Sequence, residues 1–226
     1  MQITVLTGAG ISAESGIPIF RGAGGLWEGH RVEDVASPEG WMRDQKMVLQ
    51  FYNERRRAVK NANPNKAHFD LAALQEHHHV QIITQNIDDL HERAGSKNIL
   101  HLHGEIFKSR SVKNDEIIFD CKGDINLGDL APDGGQLRPH IVWFGEQVPM
   151  LENAITLTEK SDILVIIGTS MVVYPAASLL HYAPYDIPVY IINPEIPDMH
   201  KKSNFHFITK NATEGVAEFI HDILKL

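Results

Sequence analysis

MQITVLTGAGIS, residues 1–12, is the stretch whose reading decides the fold. A short β-branched apolar run, Ile3 to Leu6, leads straight into the turn Gly8-Ala9-Gly10. Glycines at such a turn let the backbone reverse tightly and approach a pyrophosphate. A helix N-terminus behind the turn favours the negative charge. The spacing departs from a full G-x-G-x-x-G, because Glu14-Ser15-Gly16 delays the next glycine. Taken alone, the turn also fits a purely structural role.

Outward from this stretch, further runs recur at Val80 to Thr84, Ile163 to Ile167, Val189 to Ile192 and Phe205 to Ile208. Most are apolar without alternation, as expected of strands buried on both faces of a parallel sheet. Helical patterns lie between them. Ser37-Pro38 reads as an N-cap with proline at the first helical position. Behind it Trp41, Val48, Phe51, Tyr52 and Val59 recur at helical spacing until Asn63-Pro64. A second helix is expected from about Pro64 to His77, with Ala67, Leu71 and Leu74 on one face. A third carries the stripe Val216, Phe219, Ile220, Ile223 and Leu224 behind a Thr213 cap. The order implies a Rossmann-like, doubly wound α/β sheet. The large lobe is expected over about 1–20, 80–103 and 140–226. A small inserted lobe of helices and turn-rich chain is expected over about 21–79 and 104–139.

The chain has 226 residues, 43% of them hydrophobic and 22% charged, enough for a full core. Its formal net charge of -8 argues against a nonspecific binder of nucleic acid, which needs a basic surface. The single cysteine, Cys121, can form no internal disulfide. The opening residues read as a strand and not as a signal peptide, and no apolar stretch approaches the ~20 residues that span a bilayer. The expected setting is the cytoplasm, away from membranes.

The first turn continues as GAGISAESGIPIFRGAGGLW, residues 8–27. Five further segments follow in order: Thr84-Gln85-Asn86-Ile87-Asp88, His101-Leu102-His103-Gly104-Glu105, Arg138-Pro139-His140-Ile141-Val142-Trp143-Phe144-Gly145-Glu146, Gly168-Thr169-Ser170 and Asn193-Pro194-Glu195. Together they resemble the sirtuins, NAD-dependent protein deacylases with a Rossmann lobe and a small zinc-ribbon lobe. The resemblance implies NAD as cosubstrate and acylated-lysine proteins as partners. It places Gly8, Ala9, Gly10, Ser12, Phe20, Arg21, Trp27, Gln85, Asn86, Ile87 and Asp88 around the cofactor. It adds Gly168, Thr169, Ser170, Asn193, Pro194 and Glu195, with Ala212 near the adenine. Asn86 and Asp88 would act at the nicotinamide and its ribose, where a carboxylate can accept from the carboxamide NH2. His103 would be the general base that deprotonates a ribose hydroxyl, since a neutral imidazole can take that proton. His101 reads as a packing or supporting residue. Val142, Trp143, Phe144 and Gly145 resemble the strip that pairs with the substrate peptide.

Tyr52 and Arg55 stand three apart on an expected helix and so share a face. A phenol and a guanidinium together make a receptor for a carboxylate. The pair resembles the Tyr-x-x-Arg signature of the sirtuin branch that removes succinyl, malonyl or glutaryl groups. The run Arg55-Arg56-Arg57 also fits a solvated face. Sirtuins usually carry two Cys-x-x-Cys pairs that hold a tetrahedral zinc. Here Ser111 and Asn114 stand where the first pair would be, the second pair is absent, and residues 106 to 139 contain no histidine. No structural zinc is expected, and Ile117, Ile118 and Phe119 are expected to help hold the lobe as a strand. Two alternatives remain: mono-ADP-ribosyl transfer with the same cofactor, and an NAD-binding sensor with little turnover.

Overall fold

A computed structural model describes residues 1–19, 26–27, 29–171, 173–196 and 200–224. In chain order the elements are β1 (Gln2–Thr7), α1 (Gly10–Ala13), β2 (Leu26–Trp27), β3 (His30–Arg31), α2 (Val32–Val35), α3 (Pro38–Arg43), α4 (Gln45–Asn61) and α5 (Lys66–Leu74). Next come β4 (His79–Thr84), α6 (Leu90–Arg93), β5 (Ile99–His101), β6 (Gly104–Ser111), β7 (Ile118–Asp120), β8 (Leu137–Ile141) and α7 (Leu151–Thr158). The chain ends with β9 (Ile163–Ile167), a 3₁₀ helix at Ala176–Tyr182, β10 (Val189–Ile192), β11 (Phe205–Ile208) and α8 (Ala212–Ile223).

Six strands form one parallel sheet in the order β11-β10-β9-β1-β4-β5. The chain works outward from β1 in both directions, so the topological switch lies between β1 and β9, where open α/β sheets bind ligands. The pleat sends alternate residues to opposite faces. Ile163, Val165 and Ile167 pack with Leu71 of α5 and Phe219 of α8. Leu164 and Ile166 pack on the other side with Ala154 of α7 and Leu179. Apolar cover on both faces is why these strands read as unbroken hydrophobic runs.

Several boundaries differ from the sequence expectation. The first helix divides at Asp44, whose carboxylate accepts from the Met47 N–H at 2.9 Å and starts α4 afresh. α5 begins at Lys66, capped by Asn65, and not at Pro64. It packs on the six-stranded sheet, so residues 66–74 sit with the large lobe rather than the small one. Thr213 is not the cap of α8; its N–H and hydroxyl both donate to the Glu14 carboxylate, at 2.9 and 2.8 Å. Leu224 is exposed and leaves the apolar stripe. β5 was not expected, because three residues carry too little pattern to register as a strand.

The small lobe combines α2, α3 and α4 with a three-stranded antiparallel sheet, β7-β6-β8. Its strand β7 covers 118–120, one residue beyond the expected position. The residues present do not fit a structural zinc. Ser111 Oγ donates to both oxygens of Asp133, at 2.7 and 2.9 Å. The Gly135 N–H adds a bond to the same carboxylate at 2.9 Å. Asn114 Oδ1 accepts the Glu116 N–H at 3.0 Å. Among the described residues no group of three or more His, Cys, Asp or Glu could hold a metal ion. Hydrogen bonds from α4 add to the fastening. Arg56, fully buried, donates to the Ile106 carbonyl at 2.8 Å and to Asn53 Oδ1 at 2.7 Å. Asn53 in turn exchanges two bonds of 2.9 Å with the Ile125 backbone.

Ser111→Ala is expected to lower Tm by roughly 2–4 °C, since it removes a buried donor from this clasp. A chelator is expected to leave Tm unchanged in both proteins. A Tm that falls with EDTA would show that a metal holds the lobe after all.

Candidate functional site

A cavity of about 700 Å³ opens at the C-terminal ends of β1, β4, β9 and β10. That volume lies within the range of small-molecule sites. Two backbone turns meet at its floor. Gly10 N–H donates to the Gly168 carbonyl at 2.8 Å. A Cβ on Gly10 would stand 2.5 Å from the Gly168 Cα, so no side chain fits there. Gly168 also has a φ of +62°, a conformation that favours glycine.

The loop after β4 is tied to this floor. Asn86 Nδ2 donates to the Gly8 carbonyl at 3.1 Å and to Ser12 Oγ at 3.2 Å. Ser12 Oγ donates to Asp88 Oδ2 at 3.0 Å, and the other Asp88 oxygen accepts the Leu90 N–H at 3.2 Å. Asp88 therefore accepts the first N–H of α6 and lines the cavity at once. Burial pushes its carboxyl above the usual carboxylate range, against the opposing pull of the Leu90 and Ser12 bonds.

His103 Nδ1 lies 3.1 Å from the Gln85 carbonyl oxygen. A carbonyl can only accept, so Nδ1 carries the proton. Burial lowers the pKa of the ring and keeps it neutral. Nε2 then holds a lone pair on a residue that lines the cavity, the arrangement a general base needs. His101 differs. Its Nε2 is 2.7 Å from Glu92 and its Nδ1 is 3.2 Å from the Asn86 carbonyl. Burial pulls its pKa down, but the Glu92 bond and charge outweigh that, and the net shift is upward.

On the side facing α4, Tyr52 and Arg55 are both buried and both line the cavity. The Tyr52 oxygen accepts the Trp143 Nε1–H at 3.0 Å. Its own hydroxyl proton is donated to no described residue. Burial raises the phenol pKa far enough that it stays protonated. The Arg55 guanidinium lies 4.2 Å over the Trp27 ring. Trp143 is steadied from behind by Arg138, whose guanidinium sits 3.2 Å over its ring and bonds Glu146. Val142 N–H donates to the His103 carbonyl at 2.9 Å and Phe144 N–H to the Ala36 carbonyl at 3.0 Å, so part of this strip's backbone is already paired.

Around one cavity the fold gathers Gly8, Ala9, Gly10, Ser12, Trp27, Gln85, Asn86, Ile87, Asp88 and His103. The same wall includes Gly168, Thr169, Ser170, Asn193, Pro194, Glu195 and Ala212. The expected substrate residues Tyr52, Arg55, Val142, Trp143, Phe144 and Gly145 line it too. Phe20 and Arg21 lie outside the described residues. Sequence reasoning missed Ile17, Val148, Tyr174 and Asn211, which also line it. Apolar residues and an isolated asparagine between motifs carry no chemical signal that marks them.

Comparison with known proteins gives one answer. Residues 8–175 match the Sir2 family. An NAD-dependent protein deacylase of Helicobacter pylori is 51% identical over 225 residues, covering 100% of this chain and 96% of that protein. One from Bacteroides thetaiotaomicron is 53% identical over 223 residues, covering 96% and 95%. A solved Sir2 homologue in complex with NAD superposes with a TM-score of 0.88 at 38% identity, covering 99% of this chain and 90% of that one.

An NMR titration of the imidazoles separates the two histidines of the His-Leu-His segment. His103 is expected to titrate below pH 6.5 and His101 above it. The reverse order would remove the basis for treating His103 as the neutral base.

Proposed function

The chain belongs to the Sir2 family and is an NAD-dependent protein deacylase, and from that premise we propose that it prefers lysine acyl groups that end in a carboxylate. The carrying observation is the pair Tyr52 and Arg55, buried together at one end of the cavity. Trp143 occupies a lone pair of the Tyr52 oxygen, which leaves the phenol proton to donate to an incoming carboxylate. The guanidinium supplies the opposite charge in a place with little water, where a charge-assisted bond is strongest. An acetyl group leaves this donor pair unused but still fits beside it, so deacetylation accompanies the preference.

The cavity also supports the roles read from the sequence. NAD supplies an electrophilic ribose carbon when nicotinamide leaves. Asp88, its carboxylate held by Ser12 and the Leu90 N–H, accepts from the carboxamide NH2 and holds that ring in place. Asn86 fixes the loop by its own bonds to Gly8 and Ser12. His103 Nε2 takes the proton of a ribose hydroxyl. The two glycine turns bring backbone close to the pyrophosphate, and Asn193 and Glu195 stand where an adenosine ribose would rest. The products are nicotinamide, free lysine and O-acyl-ADP-ribose. The substrates are acylated-lysine proteins. We place the protein in the cytoplasm, in keeping with a chain whose single cysteine forms no internal disulfide. No described helix is long and apolar enough to cross a membrane.

Matched acetyl-lysine and succinyl-lysine peptides, followed by mass spectrometry, test this. His103→Ala is expected to lose about 10²- to 10⁴-fold in turnover of both. Arg55→Met and Tyr52→Phe are expected to lower succinyl kcat/KM about 10- to 100-fold while sparing acetyl kcat/KM. Acetyl turnover indifferent to Arg55 would discard the acyl preference and keep the deacylase. ADP-ribose on protein, with no deacylation, would favour the transferase reading instead.

A further inference from the structure

We propose that His91 and His68, buried behind the cavity and outside its lining, are positioning residues that lock the Asn86–Asp88 loop to the glycine turn through a circuit of hydrogen bonds whose one gap, between the two imidazoles, is bridged by ring contact. The circuit starts at two threonines. Thr7 and Thr84 are the last residues of β1 and β4, and they stand opposite each other in the parallel register. Their hydroxyl oxygens are 2.8 Å apart. Thr84 Oγ1 accepts the Asn86 N–H at 3.0 Å. Thr7 Oγ1 lies 3.1 Å from His91 Nε2, on α6.

His91 meets His68 of α5 edge to face, with ring centroids 4.9 Å apart. His68 Nδ1 accepts the Asn65 N–H at 3.3 Å in the capping box of α5 and lies 3.0 Å from Asn65 Oδ1, and Asn65 Nδ2 donates to the Ile11 carbonyl at 2.7 Å and to Ser15 Oγ at 3.1 Å. Ile11 precedes Ser12, which bonds both Asn86 and Asp88. The path therefore leaves the nicotinamide loop through the threonines and returns to it through α1.

The cap of α5 accounts for His68, but packing does not account for His91, Thr7 or Thr84. His91 Nδ1 and His68 Nε2 are buried without a partner, a cost that an apolar ring at either place would avoid. Two buried hydroxyls at adjacent strand ends likewise have no packing advantage over valine. What the polar atoms provide is direction. They fix the Asn86 backbone N–H, and with it the side chains of Asn86 and Asp88, to which the proposed function gives the nicotinamide. Burial keeps both imidazoles uncharged at neutral pH, with His68 down to about 4. They thus contribute orientation without adding charge beneath Asp88. Their fixed place depends on the sheet: β1 and β4 end level, so the loops that leave them start from one hydrogen-bonded point.

The test is a double-mutant cycle on NAD-dependent turnover, using whichever acyl peptide the wild type processes faster. Thr7→Val and His91→Leu are each expected to lower kcat about tenfold, with KM for the peptide unchanged. Together they are expected to cost about tenfold again in total, where independent sites would multiply to about a hundredfold. His91→Gln, which keeps a polar atom near the Nε2 position, is expected to recover most of the loss. The ratio of succinyl to acetyl turnover is expected to stay constant throughout, because the circuit does not touch Tyr52 or Arg55; this separates its failure from that of the acyl preference. If His91→Leu does not fold, Thr7→Val and Thr84→Val form the cycle instead. Wild-type kcat in the single variants, multiplicative losses, or a His91→Gln no better than His91→Leu would overturn the proposal.

Discussion

The contact between Gly10 and Gly168 is the constraint on which the site depends. Two loops that leave different strands approach until one backbone N–H meets the other's carbonyl at 2.8 Å. No Cβ is tolerated between them. Because β1 and β9 are neighbours at the switch in strand order, this contact closes the floor of the cavity where the crevice would otherwise run on between the two halves of the sheet. The Asn86–Asp88 loop is then hung from that floor by Asn86 and Ser12. Glycine at position 10 thus serves the packing of two loops as much as the approach of a ligand.

Burial settles the chemistry of the site more than any single charge does. Asp88, Tyr52, His103 and His91 are all removed from water, and in each the largest influence on pKa is desolvation. The directions differ by residue type, as they must. Acids are pushed up and imidazoles down, so both are driven towards their neutral forms. The one upward imidazole, His101, is the one with a carboxylate within hydrogen-bonding distance. The site is built to hold protons in fixed places, and the Arg138–Glu146 ion pair sits in its wall, where Glu146 lines the cavity.

Much of this was legible before any coordinates. The parallel strands were readable because apolar cover on both faces forces continuous hydrophobic runs. The cavity residues were readable because loops that touch ligands carry unusual residue combinations, such as Gln85-Asn86-Ile87-Asp88. Other features left no trace. The Arg55-Arg56-Arg57 run reads as a solvated face, yet Arg55 and Arg56 are buried and only Arg57 is exposed, paired with Asp124. Periodicity cannot show that, because the partners of Arg56 are a backbone carbonyl and an asparagine contributed by tertiary structure. His68 and His91 were equally silent. In a chain with 13 histidines, two that lie on separate helices become a pair only when the fold brings them together.

Helix α4 joins the two themes of stability and specificity. Successive residues of a helix point about 100° apart, so positions 52 and 55 share one direction while 53 and 56 share the next. Tyr52 and Arg55 turn to the cavity. Asn53 and Arg56 turn to the small sheet and fasten Ile106 and Ile125. Arg57 turns outward again to Asp124. Here the polar fastening runs through the same helix that carries Tyr52 and Arg55, the proposed carboxylate receptor, so the position of the lobe and the position of that pair are set by one rigid element. Hydrogen bonds in place of a metal therefore need not loosen the site: they tie the small lobe to the helix that places Tyr52 and Arg55 in the cavity wall.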